Sequence, residues 1–405
     1  MAEYREYKDS GIPWIGRIPS HWITRRAKFI FDRHKRPVRP IDEIVTCFRD
    51  GVVTLRKNRR ESGFTNALME FGYQGIRKGD LIVHQMDAFA GSIGVSDSDG
   101  KSTPVYTVCT MRNDDSITWY YAFLLRVMAK TDFIQSLSRG IRERSTAFGY
   151  DIMGNLLLPI PPKEEQEAIV AYLDKATADI DKAIAAKERI IASLEERRKI
   201  IITHAVTRGI NPDAQMKDSG IDWLGEIPAH WDCTKLKYFI RIKSGDSISN
   251  SDLSENGQYV VYGGGEPLGR YDRFNVSCGA IIVGRVGARC GCVTPIHQDV
   301  WATDNALVIT PDGISMEYLS YILIAADLNK LASTNAQPLL TGSKVKNTFF
   351  ALPPIKEQQS ILQYIESQTI KIDSAVAHQK RLIELLRERK NIIINETVTG
   401  KVKVI

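Results

Sequence analysis

One stretch, present twice, constrains this chain more than anything else in it. Pro161-Pro162-Lys163-Glu164-Glu165-Gln166 opens a run without glycine or proline to Thr207, and Pro353-Pro354-Ile355-Lys356-Glu357-Gln358 opens a like run to Thr399. At a constant offset of 192 residues, 21 of the 47 positions from 161 to 207 are identical, among them Ile169/Ile361, Tyr172/Tyr364, Asp181/Asp373 and the triplets Ile200–Ile202 and Ile392–Ile394. A run of that length without a breaker reads as one helix, roughly 60 Å long at about 1.5 Å per residue. Two such helices, each following its own globular segment, set the plan of the fold.

Both runs are amphipathic at heptad-like steps of three and four. Ile169, Leu173, Ile180, Lys187, Leu194 and Ile201 lie on one seam, and Ile361, Ile365, Ile372, Gln379, Leu386 and Ile393 on its counterpart. The simplest partner for one stripe is the other, so an antiparallel coiled coil is expected, with a globular segment at each end. Lys187 and Gln379 interrupt the two seams at the same place, and single polar seam residues can fix register.

A second repeat precedes each globular segment. Residues 8–22, Lys-Asp-Ser-Gly-Ile-Pro-Trp-Ile-Gly-Arg-Ile-Pro-Ser-His-Trp, return at 217–231 with 11 of 15 positions identical. Tryptophan, glycine and proline at fixed offsets indicate a turn-rich strap. His21 and His230 then take structural places beside packed indoles. Between straps and helices lie two mixed segments. Gly79–His84, Pro104–Cys109, Gly279–Gly284 and Ala306–Ile309 read as short buried strands, and Trp119–Met128 and Met316–Ala325 as helices. The expected class is α+β, a mixed α/β chain with a pseudo-twofold internal repeat. Its first globular domain would span residues 1–157, its first long helix 158–209, its second domain 210–351, and its second helix and tail 352–405.

Catalytic patterns are absent from the sequence. Gly94–Ser102 has one residue too many between its glycines for a phosphate-binding P-loop, and Gly263–Gly269 lacks dinucleotide-binding spacing. No Asn-Pro-Pro-aromatic tetrapeptide and no His-Glu-x-x-His occurs. The six cysteines include no Cys-x-x-Cys pair, so no metal is expected, and they read as reduced thiols of a cytoplasmic protein. The first residues, Met-Ala-Glu-Tyr-Arg-Glu-Tyr, lack the apolar core of a signal peptide, and the longest apolar runs fall far short of a membrane span.

Recognition remains. The net charge of +6 permits an anionic partner. Basic and amide residues cluster in the probable loops of both globular segments. Arg56, Lys57, Arg59, Arg60, His84, Gln85, Arg139, Arg142 and Arg144 are the first domain's candidates for contact with double-stranded DNA. Arg285, Arg289, Gln337, Lys344 and Lys346 are those of the second. Arginine and lysine neutralise phosphates, while arginine, asparagine and glutamine read base edges. Domains docked just inside the ends of a roughly 60 Å rod would reach half-sites about one turn of duplex apart.

The strap–domain–helix duplication, with Leu-Pro-x-Pro-Pro-x-x-Glu165-Gln166 and Leu-Pro-Pro-x-x-Glu357-Gln358 opening the helices, resembles the specificity subunit of type I restriction–modification systems. Gly79–Gly91, Tyr262–Gly265 and Gly284-Arg285-x-Gly287 look like parts of its two target recognition domains. The resemblance implies a non-catalytic reader of a bipartite, asymmetric DNA sequence. It implies two modification subunits that bind S-adenosylmethionine and methylate adenine, and restriction subunits that use ATP with magnesium. The chain itself is expected to carry no cofactor and to touch no membrane. The reading from another class is a protein-only coiled-coil scaffold with two ligand-binding domains.

Overall fold

A computed structural model describes residues 3–59, 70–131, 133–137, 148–333 and 338–404. By compactness the chain forms two units, Met1–Ala186 with Leu382–Ile405, and Lys187–Arg381. Each unit holds one strap, one sheet domain and half of each long helix.

In the first unit the strap is an antiparallel hairpin, Tyr7–Ile12 against Gly16–Pro19. Its turn is tied by local side chains: Gly11 N donates to Asp9 Oδ1 at 2.9 Å and Ile12 N to Ser10 Oγ at 3.0 Å. The domain sheet contains β1 (Phe31–His34), β2 (Leu81–His84), β3 (Ile93–Val95) and β4 (Tyr106–Met111), ordered β1-β4-β2-β3 and antiparallel throughout. Alternation sends Leu81 and Val83 to one face and Ile82 to the other. The first face packs with Ile93, Val95 and Cys109 against α1 (Thr118–Lys130), and the second against Val45, Cys47, Val53 and Ile76. Both faces are covered, which is why the strand is apolar at every position from Leu81 to Val83.

The second unit repeats this order. Its sheet contains β5 (Ile240–Ser244), β6 (Ile281–Gly284), β7 (Val293–Pro295) and β8 (Ala306–Pro311), ordered β5-β8-β6-β7 and again antiparallel. The helix α3 (Met316–Ala325) covers one face. Val276, Ile282, Val300 and Val308 form the layer on the other. Three of the four strands begin 200 residues after their counterparts, so the mixed α+β repeat holds at the level of topology where identity is low.

The long helices are α2 (Lys163–Arg208) and α4 (Ile355–Val398). Within each unit the first half of one lies against the second half of the other, and they run in opposite directions. Ile169, Leu173, Ile394 and Val398 join the first core, and Ile202, Ala205, Val206, Ile361 and Ile365 the second. The buried line departs from a strict heptad. Ile361, Ile372, Ile383 and Ile394 recur every 11 residues and are all buried, and Ile169, Ile180 and Ile202 occupy the matching positions of α2. Leu194, Ile201, Leu386 and Ile393 stand half-buried beside that line. An α-helix of 3.6 residues per turn drifts about 20° per heptad, so over four to five heptads the inward position moves by about one residue. Lys187 Nζ donates to Gln379 Oε1 at 3.3 Å, so these two repeat-related residues meet.

The motif that opens each long helix is explained by the strap. Glu165 Oε2 accepts from Trp22 Nε1 at 2.7 Å and from Tyr4 OH at 3.1 Å, while its Oε1 lies 2.5 Å from His21 Nε2. Glu357 repeats this with Trp231 Nε1 at 2.7 Å and His230 Nε2 at 2.6 Å. A carboxylate in the first turn also suits the positive end of the helix dipole. Gln166 Nε2 donates to Pro161 O at 2.8 Å and Gln358 Nε2 to Pro353 O at 2.9 Å, closing the turn before each helix. Both histidines therefore serve as structural links, as expected. Burial and the adjacent Glu165 carboxylate push the Tyr4 phenol well above its ordinary range.

Candidate nucleic-acid interface

The same place in each sheet carries a loop of different chemistry in the two repeats. In the first domain β2 ends at His84 and the chain turns through Gln85, Met86 and Asp87 into a short 3-10 helix, Ala88–Ala90. In the second, β6 ends at Gly284 and turns through Arg285 and Val286 into Gly287–Arg289. A rigid, doubly covered strand thus presents a short loop at its end, the usual way a scaffold positions recognition side chains.

His84 is half-buried, with its ring edge-on to Tyr106 at 4.7 Å between centroids. Its Nδ1 accepts from Asp87 N at 3.0 Å, which leaves the proton of the neutral ring on Nε2. Burial is the main cause that lowers its pKa. An unfolded chain takes up that proton near pH 6.5, whereas the folded one does so only at lower pH. Stability should therefore fall as pH drops below about 6.5 and level off once the folded ring protonates too. His84→Gln is expected to flatten this step in unfolding free energies measured at neutral and acidic pH. An unchanged difference between the two pH values would remove His84 as its source.

His84 lines a cavity of about 760 Å3 with Phe48, Arg49, Arg59, Asp87 and Tyr106. Arg59 stacks over the Phe48 ring at 4.8 Å and pairs with Asp50 at 2.7 Å, and the hydrogen bond to Asp50 holds its pKa up. Arg49 pairs with Asp87 at 2.9 Å. Gln85 Nε2 donates to Thr107 Oγ1 at 3.3 Å. Two further first-domain candidates are not among its lining: Arg56 Nε donates to Thr46 Oγ1, itself a lining residue, at 3.2 Å, and Lys57 pairs with Glu43 at 2.5 Å. Arg60, Arg139, Arg142 and Arg144 lie outside the described residues.

In the second domain Gly284 permits an approach that no other residue allows. A Cβ there would stand 2.0 Å from Arg289 O and 2.2 Å from Gly264 O, so the glycine-rich segment Tyr262–Gly265 closes onto the loop. Arg285 is held by its backbone, with N donating to Asn305 O at 3.0 Å and O accepting from Leu340 N at 2.9 Å. Its side chain is held loosely. Nη1 stands 3.4 Å from Ser244 Oγ, and the buried Nε has no hydrogen-bond partner among the described residues. Arg289 pairs with Glu266. Lys344 Nζ donates to Leu331 O at 2.6 Å on a separate short helix, Gly342–Lys346, and Lys346 is half-buried there. Gln337 lies outside the described residues. The structure therefore gathers His84 with Arg59, and Arg285 with Arg289, and leaves Lys344 and Lys346 on another element. Arg49, Phe48 and Tyr106 escaped sequence reasoning, because each belongs to a segment with no charge cluster of its own.

Burial pushes the Cys109 thiol up to about 12 and Cys47 higher still. Among the described residues no group of three or more His, Cys, Asp and Glu could hold a metal, and no helix is long and apolar enough to cross a membrane.

Two sheet domains of one topology, each with a strand-end loop of its own chemistry and each clamped to a long helix, define a duplicated fold on a helical scaffold. Residues 228–385 match the family model described as the type I restriction modification DNA specificity domain. The chain is similar to the type I restriction enzyme MjaVIII specificity subunit of Methanocaldococcus jannaschii, 23% identical over 432 residues that cover 96% of this chain and 94% of that one. It is likewise 22% identical to the putative MjaX specificity subunit of the same organism, over 96% of both chains. A solved structure described as showing complex assembly and conformational transition of the type I R-M system shares the fold. Its TM-score is 0.65 at 16% identity, covering 95% of this chain and 99% of that one. Over nearly its whole length the chain is thus similar to type I specificity subunits, and its second half carries the match to the specificity-domain model.

Proposed function

We propose that this chain is the DNA-reading and scaffold subunit of a type I restriction–modification complex. It reads a bipartite, asymmetric duplex sequence, one half-site with each domain. The observation that carries this reading is the repeated strand-end loop, His84-Gln85-Met86-Asp87 in one domain and Gly284-Arg285-Val286-Gly287 in the other. One backbone plan with different donors and acceptors suits two different base sequences. Two modification subunits, which carry S-adenosylmethionine and methylate adenine, dock on the doubled helices. Restriction subunits, which use ATP and magnesium, join them. The reaction chemistry resides in those partners, and this chain supplies target choice and position.

The test is the methylation pattern in a host that carries this gene with its modification partner. A single split motif with a fixed unread gap is expected. Binding to a random duplex pool, measured with the modification subunit present, should be enriched for that motif and should weaken steeply with salt. A complex that binds the pool without any preference would sink the reading in favour of a protein-only scaffold.

A further inference from the structure

The two units differ in charge at a place where their folds agree. In the first unit a crevice of about 470 Å3 opens between α1 and the paired halves of α2 and α4. One wall is cationic. Arg126 and Lys130 project from successive turns of α1, and Lys390 faces them from α4. Lys390 Nζ donates to both carboxylate oxygens of Asp181 at 2.7 Å, and Lys130 Nζ to Asn391 Oδ1 at 2.5 Å. Arg126 lacks any such partner among the described residues, and its Nε is buried without an acceptor. Its guanidinium lies against Gly51, where a Cβ would stand 2.5 Å from the central carbon. Asp50, which also lines the crevice, is committed to Arg59 at 2.7 Å. Burial lowers the pKa of both Arg126 and Lys130, and Arg126 and Lys390 lower that of Lys130 further. The three cations stand beside two carboxylates, Asp50, which raises the pKa of Arg126, and Asp181, which pairs with Lys390.

The second unit shows the same place neutralised from within. The helices α1 and α3 begin 198 residues apart, at Thr118 and Met316, so Arg126 becomes Ile324 and Lys130 becomes Leu328. At the 192-residue offset of the helices, Arg387 becomes Glu195, Lys390 becomes Arg198 and Asn391 becomes Lys199. Asp327, in the turn after α3, pairs with Lys199 at 3.1 Å and Lys330 at 3.5 Å, while Asp373 lies 3.6 Å from Arg198. The first unit has Ala129 where the second has Asp327. The α1 cations Arg126 and Lys130 thus have apolar counterparts in the second unit, whose own cations pair with Asp327 and Asp373.

We propose that the first-unit crevice is a phosphate-binding site, holding a phosphate-class dianion between Arg126, Lys130 and Lys390. A guanidinium fork with two ammonium groups matches the several acceptor oxygens and double charge of a phosphate better than the single charge of a carboxylate. The phosphate comes from the DNA backbone or from a free phosphate-bearing ligand. The first source rests on the DNA-reading function proposed above, and the second does not.

The test uses the full chain and three variants. Arg126→Leu/Lys130→Gln removes two ligands, Lys130→Gln alone serves if the double variant fails to fold, and Lys330→Gln is the second-unit control. With inorganic pyrophosphate as probe, followed by thermal unfolding and phosphorus NMR, the wild type and the control should bind saturably. The double variant should bind about tenfold more weakly or worse, as expected for lost charge-assisted hydrogen bonds. With random-sequence duplex and the modification subunit, a fall of about one in the slope of log affinity against log salt assigns the DNA backbone as the source. An unchanged slope with lost pyrophosphate binding assigns a free ligand. Absence of any duplex binding by the wild type would defeat the DNA reading and leave the pyrophosphate result standing. Equal pyrophosphate binding and equal salt slopes in wild type and double variant would overturn the proposal.

Discussion

Glu165→Ala should lower the unfolding free energy of the first unit by about 2–4 kcal/mol, because it strands buried donors rather than deleting one contact. Trp22 is fully buried, and its Nε1 has Glu165 as its only partner among the described residues; Tyr4 OH loses the same acceptor. The equivalent Glu357→Ala should cost the second unit less, about 1–2 kcal/mol. The reason is access to water. The Glu165 side chain is 12% exposed and that of Glu357 42%, and among the described residues no tyrosine hydrogen-bonds Glu357. Denaturant unfolding followed by tryptophan fluorescence measures both. Equal losses would show that burial of the acceptor does not govern the cost. Adding Trp22→Phe to Glu165→Ala should cost less than the two single changes together, since the second change removes the donor that the first left unpaired.

Arg285→Ala, assayed in complex with the modification subunit, should cost about 1–3 kcal/mol of discrimination at one base pair of one half-site. Backbone bonds to Asn305 and Leu340 fix where the side chain starts, while its buried Nε remains without a partner among the described residues and Nη1 has only the 3.4 Å contact to Ser244. An arginine with a fixed base and an uncommitted fork is arranged to bond something outside the protein. His84→Ala should act on the opposite half-site and leave the one read by Arg285 unchanged. If Arg285→Ala instead weakens binding uniformly across all sequences and lowers the salt slope, the side chain contacts phosphate and reads no base.

Much of the architecture was legible in contiguous residues. The long helices show as unbroken amphipathic runs, the straps as tryptophan, glycine and proline at fixed spacing, and the central strands as short apolar runs. Their ends moved by only a few residues in the fold: the strand expected at Gly79–His84 is Leu81–His84, and the helix expected at Trp119–Met128 is Thr118–Lys130. The seam was legible as a stripe but not in its period. Steps of three and four fit a heptad locally, and only the packed helices reveal that the buried isoleucines of α4 keep an 11-residue interval.

The sequence by itself determined that the protein is a duplication, where each half begins its helix, and that no ordinary catalytic motif accompanies it. These properties live in periodicity, breakers and identity at a fixed offset, which depend on neighbours along the chain. Tertiary structure alone decided what the repeated glutamates do. Glu165 and Trp22 lie 143 residues apart and meet only once sheet and helix are packed. It also decided which charged residues share a surface. Arg126 resembles any helical arginine in the sequence; burial against Gly51 and across from Lys390, with no acceptor for its Nε among the described residues, distinguishes it. Charge alone does not separate a solvated side chain from a desolvated one, because that difference is set by what the fold brings beside it.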